Sequence, residues 1–73
     1  MQILSAHLLA LRKERKLTRQ MVADSIGISP RTYQRYENAE REPTLSVLVL
    51  LADFYGVSMD YLAGRTDRRE VNR

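Results

Sequence analysis

The sequence predicts an all-α fold built from five short helices. Apolar residues recur at the three- and four-residue spacing of a helix in several segments, and four of these segments are preceded by a serine or threonine suited to cap a helix. Strand-like alternation does not extend beyond a few residues. Seventy-three residues form one small domain, and no cysteine is available to crosslink it, so its stability must come from helix packing.

The composition excludes several classes of protein. No apolar run approaches the roughly 20 residues that span a bilayer, and no signal peptide is apparent, so we expect no membrane partner and a cytoplasmic location. The single histidine, His7, lies off the apolar stripe of its helix and is expected to be solvated. With no cysteine and with scattered aspartates, neither a nucleophile–base pair nor a metal site is apparent. We therefore expect no enzyme, no metal and no cofactor.

Charge is unevenly distributed along the chain. The net charge is +3, but residues 1–38 hold seven basic and three acidic side chains, whereas residues 39–64 hold one basic and four acidic side chains. A basic half of this kind is typical of a surface that faces nucleic acid.

The first predicted helix runs from Ile3 to Arg15. Leu4, Leu8 and Leu11 repeat at helical spacing and define its buried face. Basic residues crowd its end, where they interact favourably with the helix dipole, and this alone is a sufficient structural reason for their presence.

Two short helices follow in close succession. Thr18 caps the second helix, which ends at Ile26, and Gly27 lets the chain turn sharply. Ser29 then caps the third helix, and Pro30 suits its first position, which needs no N–H. Two helices joined this tightly form a helix-turn-helix.

The third predicted helix has two faces of different chemistry. Tyr33, Tyr36 and Glu40 are predicted to share one side, and the opposite side is polar. An ordinary solvated helix has a face of this type, and so does a helix that reads DNA, because arginine binds guanine and asparagine or glutamine binds adenine with paired hydrogen bonds. The polar face consists of Arg31, Gln34, Arg35 and Asn38.

The last two predicted helices are more apolar. Thr44 caps a helix from Leu45 to about Tyr55, which is apolar almost all round and ends at Gly56. Either it is buried extensively within the monomer or it forms a subunit interface. Ser58 caps a final helix, Met59 to Leu62, and Gly64 ends it. Residues 1–64 are thus the predicted domain, and residues 65–73 a polar, flexible tail.

Several segments in register resemble the DNA-binding domain of Cro/CI-type repressors, the XRE family, from about Leu4 to Gly64. They are Leu17-Thr18 through Ala23, Ile26-Gly27-Ile28-Ser29, Arg35-Tyr36-Glu37-Asn38, Pro43, Leu51-Ala52-Asp53, Gly56-Val57-Ser58 and Asp60-Tyr61-Leu62. The resemblance implies a five-helix, lambda-repressor-like domain that binds double-stranded operator DNA as a homodimer and represses by occupancy. Because 73 residues leave no room for a ligand-binding domain, we expect no small-molecule ligand.

The resemblance also implies which residues touch DNA. Arg31 and Arg35 would carry the base reading, with Gln34 as an addition and Pro30 limited to apolar contact. Tyr33 would bury its ring and direct its hydroxyl toward solvent or a phosphate. The implied backbone contacts are Thr18, Arg19, Ser29, Thr32, Tyr33, Asn38 and Arg41. Two positions depart from the family pattern, since Arg19 replaces a glutamine and Ala39 replaces a glycine.

Two further sets of residues are implied to be structural. Arg12 should form a salt bridge with Glu37, and the expected dimer interface comprises Leu50, Met59, Tyr61 and Leu62. An alternative function is a protein-interaction module of the same fold, antitoxin-like or an inhibitor of a regulator, that uses the apolar fourth helix. Steep salt dependence would distinguish DNA binding from apolar docking.

Overall fold

The computed structural model describes residues 2–70, and these form five α-helices without a strand, which confirms the predicted fold class. Helix α3 packs against both α1 and α2, while α4 contacts α2, and α5 contacts α1 and α4. Within the described range no helix combines the length and the apolar character needed to cross a membrane. The helices are α1 (Gln2–Glu14), α2 (Arg19–Ile26), α3 (Pro30–Glu37), α4 (Leu45–Tyr55) and α5 (Met59–Leu62).

Helices α2 to α5 begin at the caps that the sequence predicted. In each case the hydroxyl oxygen of the capping residue accepts a hydrogen bond from the backbone N–H three residues later, which satisfies one of the unpaired donors of the first turn. The pairs are Thr18 with Met21 at 3.1 Å, Ser29 with Thr32 at 3.1 Å, Thr44 with Val47 at 3.3 Å and Ser58 with Tyr61 at 2.9 Å.

One core joins all five helices. The leucines that defined the first predicted helix, Leu4, Leu8 and Leu11, are buried, and α3 contributes two tyrosine rings to the same cluster. The twelve buried apolar residues are Leu4, Leu8, Leu11, Val22, Ala23, Tyr33, Tyr36, Leu51, Ala52, Tyr55, Val57 and Leu62. Helix α3 is therefore held by its aromatic side.

The exit from α3 lies at Ala39. This residue has φ 58°, in the left-handed region that glycine adopts at little cost and other residues do not. The N–H of Glu40 donates to the carbonyl of Arg35 at 2.9 Å and closes the last turn. The chain thus turns through an alanine under backbone strain, at the position where the resemblance implies a glycine.

His7 is partly buried, whereas the sequence predicted a solvated side chain. Its ring stacks on Tyr61 with 4.2 Å between centroids and 10° between planes, and its Nδ1 is buried without a hydrogen-bond partner among the described residues. The helical pattern of α1 placed His7 correctly off the leucine stripe, but α5 folds over that side and covers it.

Residues 65–70 lie against the helices. The Ser58 N–H donates to the carbonyl of Arg69 at 2.8 Å, and the Arg69 guanidinium donates to both Glu14 carboxylate oxygens at 2.9 and 3.0 Å. Hydrogen bonding to Glu14 raises the pKa of Arg69, and the same contact lowers the pKa of Glu14. Residues 71–73, which belong to the same predicted tail, lie outside the described residues.

Candidate nucleic-acid interface

Helix α3 is anchored to the core through its tyrosines. Tyr33 and Tyr36 are buried, and the Tyr36 carbonyl accepts a hydrogen bond from the Ser5 hydroxyl of α1 at 2.6 Å. Because the Ser5 contact is buried, breaking it would leave polar groups without partners in the interior. The orientation of α3 about its own axis is therefore strongly determined.

The opposite face of α3 carries the predicted base-reading residues side by side. Arg31, Gln34 and Asn38 are exposed and Arg35 is partly exposed, and the four line one shallow polar depression. Arginine, glutamine and asparagine side chains present donor and acceptor groups suited to base edges. Pro30, also predicted to read bases, is half-buried in the first turn of the same helix.

The predicted phosphate contact of Tyr33 is wrong. The side chain is fully buried, and its hydroxyl is hydrogen-bonded to the hydroxyl of Tyr55 at 2.6 Å. Burial, together with this contact, raises the pKa of Tyr33, and burial also raises the pKa of Tyr55. Helix α4 places Tyr55 beside the Tyr33 hydroxyl, so this hydroxyl bonds inside the protein and does not reach solvent.

The Arg12–Glu37 pair implied by the resemblance is present. Arg12 Nε donates to Glu37 Oε2 at 2.6 Å, and Arg12 Nη2 donates to Oε1 at 3.1 Å. Burial alone would raise the pKa of Glu37, but hydrogen bonds from Arg12, Tyr33 and Arg19 outweigh it and hold that pKa below its ordinary value. Hydrogen bonding to Glu37 raises the pKa of Arg12 in turn. The carboxylate at the end of α3 is therefore charged, and both of its oxygens accept hydrogen bonds within the protein.

The residues predicted to contact the DNA backbone occupy different environments. Thr18 and Ser29 cap helices, and the Ser29 and Thr32 hydroxyl oxygens lie 2.8 Å apart, so one donates to the other and the pair keeps one hydroxyl hydrogen for a phosphate. Arg19 is 41 % exposed at its side chain, and its Nε donates to Glu37 at 3.2 Å. Arg41 and Asn38 are exposed.

Glu40 lies on the polar surface of α3, although helical spacing predicted it on the same side as the tyrosines. It lines the same depression as Arg31 and Asn38, and the Asn38 side-chain N–H₂ lies 3.5 Å from its carboxylate. Helical periodicity was extended to Glu40, but α3 ends at Glu37 and the left-handed turn at Ala39 redirects the chain. Alanine favours a helix, so the residue itself gave no sign of this end, and the signal was the glycine that the resemblance implies after Asn38.

The predicted dimer interface is divided by the structure. Leu62, the last residue of α5, is fully buried in the core of the monomer, so its assignment to a subunit interface is wrong. A four-residue helix has too few turns for periodicity to distinguish its buried face. Tyr61 is partly buried against His7. Leu50 of α4 and Met59 of α5 are 44 % and 38 % exposed, and Leu45 and Val49 of α4 are also exposed.

Metal ligation finds no support in the described part of the chain. Among residues 2–70, no group of three or more histidine, cysteine, aspartate or glutamate side chains could hold an ion. The chemistry available at the α3 face is hydrogen bonding and charge, which suits recognition of a polyanion.

Comparison with known proteins gives the same picture. A helix-turn-helix family profile matches residues 8–62. The chain is 47 % identical over 57 residues to the uncharacterized HTH-type transcriptional regulator YobD of Bacillus subtilis, which covers 78 % of this chain and 51 % of YobD. It is 38 % identical over 61 residues to the HTH-type transcriptional regulator AnsR of the same organism, which covers 84 % of this chain and 53 % of AnsR.

A phage protein is among the other relatives. The cryptic phage CTXphi transcriptional repressor RstR of Vibrio cholerae is 44 % identical over 54 residues, which covers 74 % of this chain and 48 % of RstR. The chain spans about half the length of the curated relatives it matches. No solved structure matches it significantly. By its profile, its relatives and its fold, the chain belongs to the XRE, or Cro/CI-type, family of helix-turn-helix DNA-binding transcriptional regulators.

Proposed function

We propose that this regulator is a repressor that binds a roughly palindromic operator as a homodimer. One observation carries the proposal: α3 is fixed to the core by two buried tyrosines and presents Arg31, Gln34 and Arg35 together on its outer face. The relative RstR is named a transcriptional repressor, which supports repression over activation. Repression requires only that the bound protein exclude polymerase or another regulator from the DNA. The protein would act in the cytoplasm.

The α3 face suits direct reading of the major groove. Arg31 and Arg35 can each give two hydrogen bonds to guanine, and Gln34 can pair with adenine. Pro30 has no N–H and offers apolar contact, for example with a thymine methyl. In a dimer, two such helices separated by one helical turn, about 34 Å, would read two half-sites related by a two-fold axis.

Backbone contacts would orient the domain on the duplex. Thr18, Arg19, and the Ser29–Thr32 hydroxyl pair lie at the starts of α2 and α3, where unpaired backbone N–H groups and the helix dipole favour a phosphate. Arg41 in the loop after α3 is exposed and adds a further cation. Contacts of this kind give affinity and register but carry no sequence information.

Leu50 and Met59 remain the candidates for the dimer contact. Both are apolar and exposed in the monomer, and Tyr61 extends the set with a partly buried ring. Burying exposed apolar side chains against a second copy would contribute about 25 cal/mol per Å² of surface removed from water. Association is therefore expected to depend little on salt.

Selection of bound duplexes from a random DNA library, at near-physiological salt, tests the proposal. We expect enrichment of a motif with two-fold symmetry, and loss of discrimination at one position of each half-site in Arg31→Ala. Arg65→Ala is the matched control, because Arg65 lies after α5 and is 79 % exposed at its side chain. A folded protein that enriches no motif would refute the proposal.

A second function is favoured by one specific observation. Helix α4 exposes three apolar side chains, Leu45, Val49 and Leu50, with Leu45 at 69 %. A protein partner could bind this helix, as in an antitoxin or an inhibitor of a regulator. Partner binding of that type would persist at salt concentrations that abolish DNA binding, and Leu50→Ala rather than Arg31→Ala would weaken it.

A further inference from the structure

The buried carboxylate of Glu37 binds two arginines that come from different helices. Its Oε2 accepts from Arg12 Nε of α1 at 2.6 Å, and its Oε1 accepts from both Arg12 Nη2 at 3.1 Å and Arg19 Nε of α2 at 3.2 Å. The Glu37 side chain is only 1 % exposed. One acidic group at the end of α3 thus holds the end of α1 and the start of α2 together.

The two arginines are used differently. Arg12 is 12 % exposed at its side chain, and all three of its nitrogens donate inside the protein, since Nη1 also donates to the Leu17 carbonyl at 3.0 Å. Arg19 donates to protein only through Nε within the described residues, and its side chain is 41 % exposed. The Nη1 and Nη2 groups of Arg19 therefore keep their four N–H donors for another acceptor.

The charge of this cluster also points to an anion. Two arginines and one carboxylate leave one positive charge, and Arg19 is the first residue of α2, where the helix dipole already places partial positive charge. A cation at that end is unfavourable unless an anion lies near, and the nearby anion, Glu37, is shared with Arg12. The single Glu37 carboxylate therefore offsets only one of the two arginine charges, and a DNA phosphate would offset the other.

We propose that Glu37 is a positioning residue for DNA binding: it holds the Arg19 guanidinium by its Nε edge, so that the Nη groups bind a phosphate of the DNA backbone. The guanidinium is planar and rigid, so fixing one edge fixes the direction of the others. This inference rests on the proposed function. It gives the substitution of the family's glutamine by Arg19 a structural partner, and it gives Glu37 a second role beside its pairing with Arg12.

Lysine at position 19 separates positioning from charge. A lysine keeps the positive charge, but its ammonium group has no planar fork, so a bond to the buried carboxylate does not fix the direction of its other N–H donors toward a phosphate. The test measures binding of a mixed-sequence duplex by fluorescence anisotropy between about 50 and 200 mM salt, because phosphate contacts do not depend on sequence. Arg65→Lys is the matched control, and the thermal midpoint of each variant establishes that it is folded at the assay temperature.

We expect Arg19→Lys to lower the slope of log K against log salt by about 0.9, the value for one phosphate, and to weaken binding about tenfold near 0.1 M salt. Glu37→Gln should produce the same change in slope. In an Arg19→Ala background, Glu37→Gln should change the slope no further, since Glu37 acts through Arg19.

Two results would overturn the positioning role: wild-type affinity and slope in Arg19→Lys, or a slope change from Glu37→Gln that is just as large without Arg19. Where Glu37→Gln is unfolded, Arg19→Lys decides alone, because half-exposed Arg19 can be replaced without burying a charge. Failure of the proposed function is distinct, since the wild-type protein would then enrich no motif from the random library, whatever the salt dependence of its binding to a mixed-sequence duplex.

Discussion

Replacing Ala39 by glycine should stabilise the protein. Ala39 is exposed and has φ 58°, so the change removes backbone strain and no packing. A left-handed conformation costs an L-residue about 1–2 kcal/mol. Glycine has more conformational freedom in the unfolded chain, which lowers the stability gained by removing that strain by about 0.5–1 kcal/mol. The net gain in the free energy of unfolding is therefore about 0.5–1 kcal/mol.

Thermal unfolding followed by circular dichroism measures this gain. For 73 residues the entropy of unfolding is about 150 cal/mol/K, so the midpoint should rise by about 3–6 °C. Ala10→Gly is the matched control, because Ala10 is exposed inside α1, where glycine costs about 1 kcal/mol and should lower the midpoint by about 6 °C. DNA affinity should not change in either variant.

A midpoint for Ala39→Gly at or below that of the wild type would refute the reasoning. Lys16 offers an independent repetition, because it is exposed and has φ 55°. If the backbone argument is correct, Lys16→Gly should also raise the midpoint, although it removes one positive charge.

Three further outcomes follow from buried contacts. The pKa of Glu37 lies below its ordinary value of 4.5 in the folded chain, so its contribution to stability is present above pH 4.5 and is lost as pH falls through the folded pKa. The thermal midpoint should therefore fall less steeply between about pH 5 and 3 in Glu37→Gln than in the wild type. Tyr33→Phe should lower the free energy of urea unfolding by about 1–3 kcal/mol, since the Tyr55 hydroxyl loses its buried partner, and an unchanged urea midpoint would contradict that bond. Leu62→Ala should cost about 2–5 kcal/mol, whereas Leu50→Ala should leave monomer stability within about 0.5 kcal/mol and weaken self-association in analytical ultracentrifugation; the reverse ranking would show that Leu62, not Leu50, faces a second subunit.

The features that sequence predicted well are local. Thr18, Ser29, Thr44 and Ser58 were identified as caps because a cap depends on a hydroxyl and a backbone N–H only three residues away. The two faces of α3 followed from helical spacing alone. The turn at Ala39 did not follow from helical spacing, which extended the helix to Glu40, and only the glycine implied there by the resemblance indicated it.

The features that sequence missed depend on packing between distant segments. The hydroxyl of Tyr33 is bound by Tyr55 from another helix, and the ring of His7 is covered by Tyr61. Spacing within one helix carries no information about which neighbour covers a given side. The contact between Arg19 and Glu37 was missed for the same reason, since the two side chains lie 18 positions apart on different helices.

The hydrogen bond from Ser5 to Tyr36 has a consequence for how the protein opens. Together with the Glu37 cluster, it ties α1 and α3 at two points, and each point buries polar groups that cannot separate without loss. We therefore expect the backbone amides of α1, α2 and α3 to exchange with deuterium as one cooperative unit, while α5 exchanges faster and independently. Helix α3 would then be lost only when the whole amino-terminal half unfolds.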